Sequence, residues 1–145
     1  MIRYRIEETI NRPADEVFAY IGDPSRHPAW MPVSDVRIAT PGEVRVGTAV
    51  HELMKMGSRN APFSWEVTEL EAGRKLGFRT IEGPVSWEGS YEAEPVGSGV
   101  TRVIATATVG LKGWQRLMEP FMAGEVRRGE AAELRRLKDL LEGHA

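Results

Sequence analysis

The hydrophobic period of this chain changes once, near Gly113, and that change sets the narrowest limit on its fold. From Thr48 to Val109 apolar side chains mostly recur at every second residue, the repeat of strands with two unlike faces. Turns at Gly57-Ser58-Arg59-Asn60, Glu71-Ala72-Gly73-Arg74, Gly83-Pro84 and Pro95 to Gly99 divide the run. The strands between them are 48–56, 63–70, 76–81, 85–94 and 100–109, and such short glycine-containing connections indicate one antiparallel sheet. Beyond Gly113 the repeat becomes helical. Trp114, Leu117, Met118, Phe121 and Met122 begin an apolar stripe that Val126, Leu134, Leu137, Leu140 and Leu141 continue.

Pro120 cannot donate a backbone hydrogen bond and would clash with a preceding turn, so Trp114 to Glu119 reads as a lead-in. The main helix then starts or first bends at Pro120. Its other face carries Arg127, Arg128, Arg135, Arg136 and Lys138 among Glu125, Glu130, Glu133 and Asp139. Interleaved signs favour a solvated mixed-charge face over a basic binding patch.

Before the sheet run, Ile2, Tyr4 and Ile6 alternate with polar residues as in a strand. Pro13 suits a first helical position, and Asp15 and Glu16 follow in the first turn, where the helix dipole favours anions. Val17, Phe18, Tyr20 and Ile21 give this short helix an apolar side, and Asp23-Pro24 ends it. Ser25 to Trp30 is a second helical turn, Val36 to Ile38 a brief strand, and Pro41-Gly42 a turn.

At 145 residues the chain has room for one domain, 1–145. A net charge of −2 gives no general attraction to phosphate backbones, so nucleic acid is not an expected partner. The absence of cysteine excludes disulfides, thiolate nucleophiles and cysteine metal sites. The polar–apolar alternation of residues 1–7 is unlike a secretion signal, and no apolar stretch nears the ~20 residues that span a bilayer. The expectation is a cytoplasmic protein, monomer or homodimer.

The order of elements is matched by particular residues: Ile10 to Phe18, Ile21-Gly22-Asp23, Trp30-Met31-Pro32, Val46-Gly47 and Val67-Thr68-Glu69-Leu70. Tyr91 to Pro95, Gly99 to Val103 and Leu137 to Glu142 complete the set. With these residues the whole chain resembles the polyketide cyclase/dehydrase-type branch of the SRPBCC superfamily, related to START lipid-transfer domains and the birch-pollen allergen fold. The resemblance implies an α+β helix-grip fold. A curved antiparallel sheet of about seven strands wraps a long C-terminal helix, with two short helices after the first strand. It says little about activity, because the superfamily holds lipid carriers, hormone receptors, cyclases, chaperone activators and toxins.

In such folds a hollow lies between sheet and helix. Alternation turns Phe63, Trp65 and Val67 inward, with Leu76, Phe78 and Thr80, with Val85, Trp87, Gly89, Tyr91 and Ala93, and with Val103, Ala105, Ala107 and Val109. The small residues Gly89, Ala93, Ala105 and Ala107 would leave space that larger side chains would fill. The alternative is a closed core filled by the aromatics. An empty hollow of ~300 Å³ would cost about 7 kcal/mol, against a typical total stability of roughly 5–15 kcal/mol. A hollow of that size should therefore be wet, occupied or collapsed.

The expected ligand-binding residues are Trp30, Met54, Trp65, Phe78, Trp87, Tyr91, Trp114, Met118, Phe121 and Met122, with Trp30 and Trp114 to Pro120 as a gate. No metal or cofactor is expected. His27, His51 and His144 lack ligand spacing, Gly97-Ser98-Gly99 is a hairpin turn, and no nucleophile elbow is present. Acid–base chemistry has weak candidates in Glu52, His51 and Tyr91. Glu52 shares parity with Val50, Met54 and Met56, whereas the opposite register would put His51 inside. Three readings follow: carriage of a small hydrophobic molecule such as a lipid, polyketide or isoprenoid; a cyclase or dehydratase; and a protein-interaction module.

Overall fold

The computed structural model describes residues 1–143. His144 lies outside them. Strand β1 (Ile2–Ile10) leads into helix α1 (Ala14–Ile21) and a 3-10 turn (Pro24–Ala29). Strands β2 (Val33–Ile38), β3 (Ala49–Met56), β4 (Arg59–Glu71), β5 (Lys75–Glu82), β6 (Val85–Gly97) and β7 (Val100–Leu111) follow. A second 3-10 turn (Gly113–Met118) precedes helix α2 (Glu119–Glu142). The sheet is seven-stranded in the order β1-β7-β6-β5-β4-β3-β2, antiparallel throughout. This is the helix-grip arrangement, and no helix among the described residues is long and apolar enough to cross a membrane.

Local chemistry accounts for the elements. Pro13 stands as the N-cap of α1, one residue before the helix, and Asp15 and Glu16 occupy its first turn. The Asp23 side chain accepts from Ser25 N at 3.0 Å and so caps the first 3-10 turn. Strand β2 begins earlier than the sequence indicates and carries an irregularity between Ser34 and Arg37, where Asp35 adopts φ 50°. Pro120 sits in the first turn of α2, where its missing donor is not needed.

Helix α2 is fastened along β1, an edge strand. Arg127 Nη2 donates to the Arg3 carbonyl at 2.9 Å, and Lys138 Nζ donates to the Thr9 carbonyl at 2.7 Å. These cations satisfy carbonyls that the strand's open edge leaves without a ladder partner. The inward sets of β4, β6 and β7 include the buried Phe63, Trp65, Val67, Tyr91, Ala93, Val103 and Val109.

Three expectations need correction. Gly89 opens no space, because a Cβ there would meet Ala107 Cα at 2.6 Å and the Thr106 carbonyl as well. It is a point of close backbone approach between β6 and β7. The start of the predicted helical stripe is solvent-facing: Trp114 is 76% and Phe121 79% exposed, with Leu117 and Met118 exposed too. The lead-in is 3-10, with about three residues per turn, so the α-helical phase does not run through it. Finally, Glu130 and Glu133 are not on the solvated face. They are buried, at 4% and 6% exposure.

Candidate functional site

Between strands β3 to β7 and α2 lies a cavity of about 280 Å³. Of the predicted ligand-binding residues, Met54, Trp65, Phe78, Trp87, Tyr91 and Met122 line it. Trp114, Met118 and Phe121 do not; they lie in or beside the exposed 3-10 segment. Leu111 before that segment and Met122 after it are both in the wall. Trp30 is not in the wall either: it is buried behind it, edge-on to Tyr91 at 5.4 Å. Ala93, Ala105 and Ala107, expected to leave the hollow open, are buried in the sheet and absent from its lining.

Strand β3 takes the register that turns Val50 and Glu52 inward. Glu52 Oε1 accepts from Trp65 Nε1 at 2.7 Å inside the cavity wall. Burial lifts its carboxyl to about 6, and the indole hydrogen bond offsets part of that rise. His51 points the other way, exposed, with Nδ1 2.7 Å from Ser64 Oγ. Its opposite parity to Glu52 removes it as a base in the cavity.

His27 also lines the cavity. Its Nε2 lies 2.8 Å from the Ile21 carbonyl, an atom that can only accept, so Nε2 carries the proton. The ring stacks on Trp65 at 5.9 Å, and burial pulls its pKa down to about 4. It is neutral in the physiological range.

The helix side of the cavity holds Glu130 and Glu133. The Tyr91 hydroxyl donates to Glu133 Oε2 at 2.8 Å, and Trp87 Nε1 donates to the Tyr4 hydroxyl at 2.9 Å. Glu130 stands among Glu133, Tyr91 and Tyr4, yet its Oε1 has no hydrogen-bond partner. Burial raises both carboxyl pKa values, and the neighbouring charge of Glu130 raises Glu133 further. No basic side chain among the described residues forms an ion pair with Glu52, Glu130 or Glu133. Two buried carboxyls whose pKa values are both raised hold a proton more readily than free ones, and a shared proton would present an acid and an acceptor side by side.

Sequence reasoning missed this pair, though a signal was present. Met122, Val126, Glu130, Glu133, Leu137 and Leu141 step along the helix by three or four residues. The two acids continue the apolar stripe in phase instead of lying opposite it.

The profile of the family described as polyketide cyclase/dehydrase and lipid transport matches residues 1–142. No curated protein matches. Among solved structures, the Zhui aromatase/cyclase of Streptomyces sp. R1128 is similar at a TM-score of 0.81 and 17% identity, covering 97% of this chain and 93% of its own. A protein of Thermus thermophilus has a TM-score of 0.80 at 18% identity, over 99% of both chains. A START superfamily protein of Mycobacterium smegmatis has a TM-score of 0.80 at 15% identity, over 97% of this chain and 99% of that one. At such identities the likeness is one of fold.

Proposed function

This chain belongs to the polyketide cyclase/dehydrase and lipid transport family, and from that premise we propose that it binds and carries a small hydrophobic molecule, of lipid, polyketide or isoprenoid type, between its sheet and α2. The cavity itself carries this reading. Its volume of about 280 Å³ is walled by aromatic and methionine side chains. Kept empty it would cost about 7 kcal/mol by the slope of core truncations, a large part of a domain's usual stability of roughly 5–15 kcal/mol. Trp65, Phe78 and Trp87 offer apolar ring surface to a ligand body, and Met54 and Met122 adapt to its outline. The gate in this reading is Trp114 to Pro120, without Trp30, which is buried. The form proposed is a single cytoplasmic domain, monomer or homodimer, acting without a cofactor or nucleic acid.

Native mass spectrometry after gentle purification tests the reading. A retained small molecule, lost on denaturation, is the expected result. A bare chain mass, together with no quenching of tryptophan fluorescence by neutral naphthyl compounds, would overturn it.

A second reading, a cyclase or dehydratase, is favoured by the Glu52 carboxyl, raised to about 6 inside the same wall as Tyr91. Glu52 would take a proton from carbon beside a carbonyl, and Tyr91 would exchange its Glu133 acceptor for the carbonyl oxygen. Turnover lost in Glu52→Gln with binding retained would establish it.

A further inference from the structure

Resting on the reading that the cavity takes a small molecule, we propose that the polar end of that molecule is a basic nitrogen, an alkylammonium group seated against Glu130 and Glu133 beneath the aromatic wall. The acceptor is already in place. Glu130 lines the cavity at 4% residue exposure, and its Oε1, buried in the cavity wall, has no hydrogen-bond partner. A buried acceptor left in that condition costs about 1–3 kcal/mol, which a ligand N–H or O–H would recover.

The surrounding charges choose among donors. The α2 side of the cavity presents two carboxyls, and β3 presents Glu52. Lys55 of β3 lines the cavity without pairing to any of the three. His27, on the first 3-10 turn, is held neutral by burial. Arg136, further along α2, donates its Nε to the Trp30 carbonyl at 3.0 Å, and its charge lowers both carboxyl pKa values by less than burial raises them. The Tyr91 hydroxyl is committed to Glu133, and Tyr4 of β1 receives Trp87. A carboxylate or phosphate head would place a further negative charge beside this pair. An alcohol would fill one acceptor and add no positive charge to that of Arg136. An ammonium supplies several donors and a further positive charge directly against the pair, in a cavity also lined by the aromatic side chains of Trp65, Phe78 and Trp87.

Burial raises both carboxyl pKa values and a seated cation lowers them, so amine binding releases protons over the range in which the pair titrates. Affinity for an amine therefore rises with pH until the amine itself loses its charge.

The test uses the full chain and three probes of one shape: 2-(1-naphthyl)ethylamine, 2-(1-naphthyl)ethanol and 1-naphthaleneacetate. Calorimetry in two buffers of different ionisation heat reads affinity and proton release together. The amine is expected to bind at least about tenfold tighter than the alcohol, with proton release, and the carboxylate weakest. In Glu130→Gln the ratio of amine to alcohol affinity should shrink to about threefold or less. Should that variant not fold, the wild-type affinity series against pH decides, rising for the amine and flat for the alcohol. Equal affinities for amine and alcohol, or an advantage that survives Glu130→Gln, would overturn the inference and leave the cavity reading standing. Failure of all three probes to bind would remove both.

Discussion

The Tyr91 hydroxyl donates to Glu133 Oε2 at 2.8 Å, joining strand β6 to helix α2 across the buried interior. The ring is held on two sides, stacked on Phe78 at 5.7 Å and met edge-on by Trp30 at 5.4 Å. Tyr91→Phe keeps both ring contacts and removes only the donor, leaving a buried carboxyl oxygen short of a partner. Urea denaturation should show a loss of about 1–3 kcal/mol. A loss below about 0.5 kcal/mol, the range of ordinary surface changes, would mean that Glu133 finds its donor elsewhere.

Glu52 makes stability depend on pH through its burial. Its carboxyl rises from 4.5 to about 6 although Trp65 donates to it. A carboxyl that holds its proton more tightly when folded favours the fold in its protonated form. Its contribution is therefore complete below 4.5 and is lost as pH climbs to about 6. That interval is worth about 2 kcal/mol. Glu52→Gln keeps an acceptor for the indole and never ionises, so it should exceed wild type by up to about 2 kcal/mol above this range and match it below. A gain of equal size at both ends would trace to packing and not to charge.

His27 works in the opposite direction. Burial takes its imidazole from 6.5 to about 4, against the pull of the Ile21 carbonyl and the Asp23 charge. The unfolded chain binds this proton first, so stability is full above 6.5 and drains away as pH falls to about 4. The loss amounts to roughly 3 kcal/mol. His27→Gln, long enough to donate to the same carbonyl, should flatten this acid limb in a denaturant series. An unchanged acid limb would assign the loss to other groups.

The sequence carried the fold further than the site, for a physical reason visible in particular residues. Strand alternation placed Trp65, Phe78, Trp87 and Tyr91 on one face, because a two-residue period admits only two orientations. The same binary choice left β3 open until the structure put Glu52 inside and His51 outside. On α2 the assumption that acids belong in water hid Glu130 and Glu133, which follow Met122 and Val126 in helical phase. Aromatic character misled at the other end. Trp114 and Phe121 looked like lining, yet Trp114 in the 3-10 lead-in and Phe121 in the first turn of α2 both face solvent. Gly89, taken as room for a ligand, is where two backbones meet.

Val126 allows the cavity to be closed from within. It sits on α2, partly buried, in the wall that faces the aromatic strands, one turn before Glu130. Val126→Phe adds ring volume to the hollow without touching a hydrogen bond or a charge. Because the added ring enters space and not packed atoms, unfolding free energy should hold or rise by about 1 kcal/mol. Affinity for the neutral naphthyl alcohol should fall by at least about tenfold, since that ligand needs the same volume. Fluorescence titration and denaturation of one preparation read both quantities. If stability drops by about 2 kcal/mol, the size of an overpacking penalty, the helix face at Val126 is already filled and the ligand's room lies closer to Trp87. If binding survives with stability intact, the alcohol occupies a different part of the protein, and the hollow beneath α2 is not its site.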